Sequence, residues 1–174
     1  VQTNPWVSGE VVFCQETGGD TLQRMYLLQD GSPWQPLYLE TPEEWVTHEA
    51  IVTRDEVMFA IMGHLDRLRT KPHGLAVINL RTNEMSILGQ CKGGQGFWHV
   101  NGSADGRWAV GDDFDGRIHV IDRRDGRQTL LTTGHVMKPD HAHPTFDPAS
   151  QRILFQSGLL SDGKNLNLMT VAIP

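Results

Sequence analysis

Apolar residues in this chain fall in short runs: EVVFC at 10–14, RMYLL at 24–28, EVMFAIM at 56–62, GLAVINL at 74–80, RWAVGD at 107–112, RIHVIDR at 117–123, RILFQS at 152–157 and LNLMTVAI ending at 173. Between them stand turn-formers such as QDGSP, LRTNE, SADGR, RRDGR and LSDGK. Runs this short, bounded by Asp-Gly and similar pairs, read as β-strands joined by hairpins, and no stretch keeps a helical period. The pattern predicts an all-β chain.

The runs also repeat. With Val11, Val57, Trp108 and Ile153 in register the intervals are 46, 51 and 45 residues, and GLAVINLRTNEMSIL (74–88) overlays GRIHVIDRRDGRQTLL (116–131). About four short strands per unit of that length predict β-propeller blades. Four blades fit into one domain over residues 1–174, at roughly 1–42, 43–92, 93–138 and 139–174. Four is the low end for a closed ring, so the pattern leaves a small propeller or part of a larger one.

Composition adds exclusions. A hydrophobic share of 39% and a charged share of 21% describe a chain that folds around a core. The net charge is −6 with the basic residues scattered, which predicts neither a nucleic acid nor an acidic membrane as partner. No apolar run approaches the roughly 18 residues of a membrane helix, and nothing at Val1 resembles a signal peptide. Cys14 and Cys91 lie far apart without CxxC spacing, so two reduced thiols in a cytoplasmic protein are expected. Lacking an initiator Met, the chain is expected to be trimmed or a fragment.

The densest chemistry lies in KPDHAHPTF, 138–146. Nine residues before Val57 stands His48, nine before Trp108 stands His99, and ten before Ile153 stands His143. In a propeller the first strand of each blade lines the central channel, so these positions converge. Strand alternation then puts His141 on the same side as His143. Neutral imidazoles suit divalent first-row metals, which makes His99, His141 and His143 a candidate metal site; the plain alternative is polar residues at strand ends. His64, His73 and His119 share no such register and are expected to be structural or exposed, while His135, a short loop from His141, stays open. The glycine cluster GQCKGGQG (89–96) lacks a phosphate-loop ending and reads as a connector, and NGS at 101–103 falls in a blade turn. No GxSxG or cysteine–histidine signature offers a nucleophile.

The segments EEWVTHEAIVTRDEVMFAIMGH, GFWHVNGSADGRWAVGDDFDGRIHVIDRR and DHAHPTFDPASQRILFQSGLLSDGKNLNLM together resemble the C-terminal half of the oligogalacturonate lyases, an intracellular pectin-degrading family built on a seven-bladed propeller. The resemblance implies that about three N-terminal blades are absent from this chain. It implies a divalent ion, manganese, on three histidines and a glutamine, with FWHVNGS supplying His99 and DHAHP supplying His141 and His143. The position expected for the glutamine is Lys138, which as a cation cannot ligate, so His135, Gln95 or water is left for that place. WVTHE implies His48 as the base and LQRMY implies Arg24 as its assistant. FCQETGGD departs from the His-Glu-Gly run common in the family. The implied reaction is β-elimination on an oligogalacturonide: the base takes the proton α to the carboxylate, and the glycosidic C–O bond then breaks to leave an unsaturated uronate. Two other readings remain, a non-catalytic propeller that binds sugars or proteins and a hydrolase that uses the same histidines.

Overall fold

The computed structural model describes residues 1–15, 21–63, 65–70, 72–91, 96–136 and 139–174. Four antiparallel sheets follow one another along the chain. The first holds β1 (Gln2–Thr3), β2 (Val11–Cys14), β3 (Met25–Leu28) and β4 (Gln35–Pro36); the second β5 (Val46–Thr53), β6 (Glu56–Ile61), β7 (Gly74–Asn79) and β8 (Met85–Gly89). The third holds β9 (Phe97–Gly102), β10 (Trp108–Asp113), β11 (Ile118–Asp122) and β12 (Arg127–Thr132), and the fourth β13 (Thr145–Phe146), β14 (Arg152–Ser157) and β15 (Asn167–Ala172). Each sheet is a meander in sequence order, which is the blade topology. The four blades expected from the repeat are present, the fourth with three strands among the described residues. Two short 3₁₀ turns, Asp66–Thr70 and Leu159–Ser161, are the helical elements described.

The unbroken apolar runs have a physical explanation in how the blades stack. On β6, Val57, Phe59 and Ile61 face one way and pack with Val12, Met25 and Leu27 of the first blade. Met58, Ala60 and Met62 face the other way and pack with Phe97, Ala109 and Ile121 of the third. A sheet buried on both faces needs hydrophobic residues at every position, so the period-two signal vanishes in the middle strands. A third cluster, with Trp108, Val110, Ile118, Ile153 and Phe155, joins the third and fourth blades. Each fully buried Val, Ile, Leu, Met or Phe among them contributes about 1.5–3 kcal/mol.

A repeated ion pair clasps consecutive blades. Arg81, just after β7, binds Glu10 bidentately at 2.6 and 2.9 Å. Arg123, just after β11, binds Glu56 at 3.1 and 2.7 Å. Both glutamates stand where the second strand of the preceding blade begins, so one device is used twice. Asp-Gly turns close the outer hairpins, with Gly116 at φ 69 and Gly126 at φ 71, a left-handed region that glycine adopts without steric cost.

Candidate active site

The innermost strands β5 and β9 each carry a bulge. Thr47 pairs with Ala60 and Ala50 with Met58, so His48 and Glu49 together oppose Phe59. Gly111 pairs with Val100 and Asp113 with Phe97, so Trp98 and His99 together oppose Asp112. A bulge bends the strand and re-aims its side chains, a device common beside functional sites. His48 takes φ 56, and His143 takes φ 47. Two histidines in the left-handed region line the same channel, and such outliers concentrate where function requires a particular geometry.

The histidines meet at one cleft of about 260 Å³, lined by His48, His99 and His143 together with Gln2, Asn101 and Thr145 from the innermost strands. The His99 ring centroid lies 4.3 Å from that of His48, 3.7 Å from His143 and 5.4 Å from His141. Trp98 stacks on His141 at 4.6 Å and backs onto Phe114 at 4.5 Å. Burial, then the neighbouring His99, hold the His141 imidazole below its usual range, so at neutral pH it is in the uncharged, ligating form. Behind His99 lies Asp112, wholly buried, with carboxylate oxygens 3.1 and 3.2 Å from His99 Nδ1.

The structure corrects the expectation of a strand over the HAH segment. Residues 139–144 form no strand, and β13 begins at Thr145. The left-handed His143 turns the chain there, and hydrogen bonds replace strand pairing. Gln156 donates its backbone N–H to the Ala142 carbonyl at 2.9 Å and its side-chain amide to the His141 carbonyl and to Asp140 at 2.8 and 2.9 Å. Asp140 accepts the His141 N–H at 2.8 Å and lies 3.2 Å from His143 Nε2; these two contacts hold its carboxyl down at about 2.

The donor set fits a divalent ion. Metal–nitrogen bonds of about 2.1 Å put the ring centroids of neighbouring imidazole ligands roughly 4.5–5.5 Å apart; His99 and His141, at 5.4 Å, meet that range, whereas His99–His143 at 3.7 Å is shorter and His141–His143 at 6.3 Å longer. With Asp112 beside Nδ1, His99 Nε2 is the ring atom that would be available to a metal, an arrangement usual for metal histidines. Among the described residues, however, the group whose donor atoms all lie within 4.8 Å of one another is Cys91, Asp113 and His119. Its carboxylate already accepts N–H groups of Arg117 at 2.7 Å and His119 at 2.9 Å, and burial pushes the Cys91 thiol up to about 12. Arg117 supplies a positive charge there, so Asp113 is already ion-paired. A common ion requires the half-exposed His143 to rotate toward its neighbours.

His135 does not join the cluster. Its ring nitrogens lie 2.8 Å from the Thr132 hydroxyl and 2.9 Å from that of Ser157, so both are taken by the third and fourth blades. Lys138, Gln95, His64 and part of FCQETGGD lie outside the described residues. Arg24 is buried at the start of β3; its Nε donates to the Val46 carbonyl at 2.8 Å, and its guanidinium lies 5.0 Å from the Trp45 ring centroid. It reaches the strand that carries His48 from the neighbouring blade, and it lines a separate cleft of about 330 Å³ with Trp45 and Arg67 rather than the histidine cleft. Sequence reading missed Asp112, Trp98 and Gln156. Of these, Trp98 had a signal, standing beside His99 in FWHVNGS, whereas Asp112 is indistinguishable from other strand-end aspartates.

No protein-family model matches the sequence, and no curated protein matches it. Among solved structures, the chain is similar to an oligogalacturonate lyase in complex with manganese, with a TM-score of 0.76 and 24% identity over 98% of this chain and 47% of that one. It is similar to an oligogalacturonate lyase from Vibrio parahaemolyticus at TM-score 0.74 and 21% identity, again over 98% and 47%. TolB from Acinetobacter baumannii follows at 0.70 and 13%, over 97% and 40%. The chain thus spans about half the length of the two lyase structures. At these identities the likeness establishes the fold, and this chain is a run of four propeller blades.

Proposed function

We propose that this chain forms the metal- and base-bearing part of an oligogalacturonate lyase that cleaves by β-elimination. The observation that carries the reading is the meeting of His48, His99 and His143, from three consecutive blades, at one cleft, with His141 5.4 Å from His99 beside it. The manganese in the similar lyase structure supports a metal role for His99, His141 and His143. A divalent ion bound there would offset the charge of the substrate carboxylate as the neighbouring carbon loses its proton.

The chain's own residues divide the remaining work. His48, aimed by its bulge into the cleft beside His99, takes the proton from the carbon α to the carboxylate; an uncharged imidazole is the base suited to neutral pH. Arg24, buried, holds β5 two residues before His48 and so assists the base by fixing the strand that carries it. Trp98 braces His141. Two free thiols suit a reducing compartment, and a cytoplasmic setting is part of the reading. No helix of the described residues is long and apolar enough to cross a membrane.

The test is formation of unsaturated uronate from oligogalacturonides, read by ultraviolet absorbance, with and without chelator, in the full protein. His48→Ala is expected to lower turnover by about 10²–10⁴ while manganese content stays unchanged. Full turnover in that variant removes His48 as the base, and a product without the double bond replaces the lyase reading with hydrolysis.

A further inference from the structure

The geometry points to Asp112 as the positioning residue of the whole histidine cluster, acting on two blades at once. Its side chain is 0% exposed, and its carboxylate lies against the His99 ring at 3.1 Å. One carboxylate oxygen accepts the backbone N–H of His99 at 2.8 Å and lies 3.1 Å from the ring Nδ1. The other lies 3.2 Å from that Nδ1 and accepts the backbone N–H of Ala142, also at 3.2 Å. A single buried group thereby ties the bulge of β9 to the segment that carries the other two histidines.

Stability alone does not explain a carboxylate here. The residue opposite the equivalent bulge of the second blade is Phe59, fully buried in the core, which shows that the sheet accepts an apolar side chain at this place. Burying a charge is costly unless it is well hydrogen-bonded, so the third blade carries a cost that the second does not. The acid has two consequences at the site. An ionised carboxylate only accepts, so the proton of His99 is held on Nδ1 and the Nε2 lone pair is left free. Ala142, midway between His141 and His143, is pinned from the third blade by Asp112 and from its own blade by the Gln156 amide at 2.9 Å. Both flanking histidines are then displayed from one fixed point.

Use of that lone pair by a metal rests on the lyase reading; the positioning role does not. The test uses Asp112→Asn, which keeps the shape: its Oδ1 still accepts the His99 backbone N–H, while the N–H₂ that replaces the second oxygen can donate to His99 Nδ1 and cannot accept from Ala142. In the metal-free protein, ¹⁵N shifts of His99 are expected to report the Nδ1–H tautomer and to move toward Nε2–H in the variant, a change with the logic of an orienting acid replaced by its amide. Ala142 amide exchange should accelerate about tenfold or more, and the Mn²⁺ dissociation constant should rise by about 10- to 100-fold. An Nε2–H tautomer in the unaltered protein overturns the proposal whether or not the variant folds. So does a variant with unchanged tautomer and Ala142 exchange. If both change in the variant while neither protein takes up Mn²⁺, the metal reading falls and the positioning role stands.

Discussion

Gly111 on β10 links fold stability to the cleft most directly. A methyl group added there would meet Phe97 Cδ1 at 2.6 Å, Phe97 Cγ at 3.0 Å and the His99 carbonyl oxygen at 3.2 Å. Phe97 is fully buried between the second and third blades, so its ring has no free space into which to turn. Gly111→Ala therefore pushes β9 away at the bulge that presents His99. Overpacking of this kind costs about 1–3 kcal/mol. In a chain of this size each kcal/mol moves the thermal midpoint by about 2–4 °C, giving a fall of roughly 2–12 °C. Circular dichroism melts measure the midpoint, and Mn²⁺ titration measures the site. Gly126→Ala is the control: φ is 71 and nothing lies within 4 Å, so it costs about 1–2 kcal/mol in backbone strain alone and leaves Mn²⁺ affinity unchanged. A Gly111→Ala midpoint within about 1 °C of the parent would refute the packing argument. An equal loss of Mn²⁺ affinity in both variants would refute its link to the cleft.

Two further outcomes follow from the charges. Burial alone would raise the Asp113 carboxyl, but hydrogen bonds from His119 and Arg117 outweigh it and hold the group below the usual range. A depressed carboxyl stabilises the fold above its unfolded pKa, near 4, and loses that contribution as pH falls through the lower folded value. Thermal midpoints of Asp113→Asn should lie well below the parent at pH 7 and approach it as the pH is taken below 4; a constant gap contradicts this sign. With its thiol pushed up to about 12, buried Cys91 should resist thiol reagents in the native protein at pH 8, whereas partly exposed Cys14 reacts. A fast phase that persists in Cys14→Ser would show Cys91 to be open.

Strands and blades were legible in the sequence because each signal is local: apolar runs of strand length, Asp-Gly turns, and a period near 45. Even the clasp between blades has such a trace, with Glu10 and Glu56 opening equivalent strands and Arg81 and Arg123 matching in the overlaid segments. The register of His48, His99 and His143 was legible for the same reason, since a repeat maps equivalent positions onto one axis. What alternation could not reveal was how the side chains are aimed. The bulges at His48 and His99 and the left-handed backbone of His48 and His143 break the period-two rule, so His143 lines the cleft and His141 stacks on Trp98 without either belonging to a strand.

The sequence by itself therefore determined the all-β architecture, the number of blades and the histidines that line the channel. Only the tertiary structure decided that His135 is taken by Thr132 and Ser157, that Asp113 is held by Arg117 and His119 beside Cys91, and that Asp112 stands behind His99 and Ala142. These roles depend on which groups face each other within a sheet or between neighbouring sheets, at separations of 13, 22 and 30 residues in the chain. Hydrogen bonds reach only about 3 Å, so the partner of a buried polar group is set by stacking of the sheets and leaves no periodic mark on the chain.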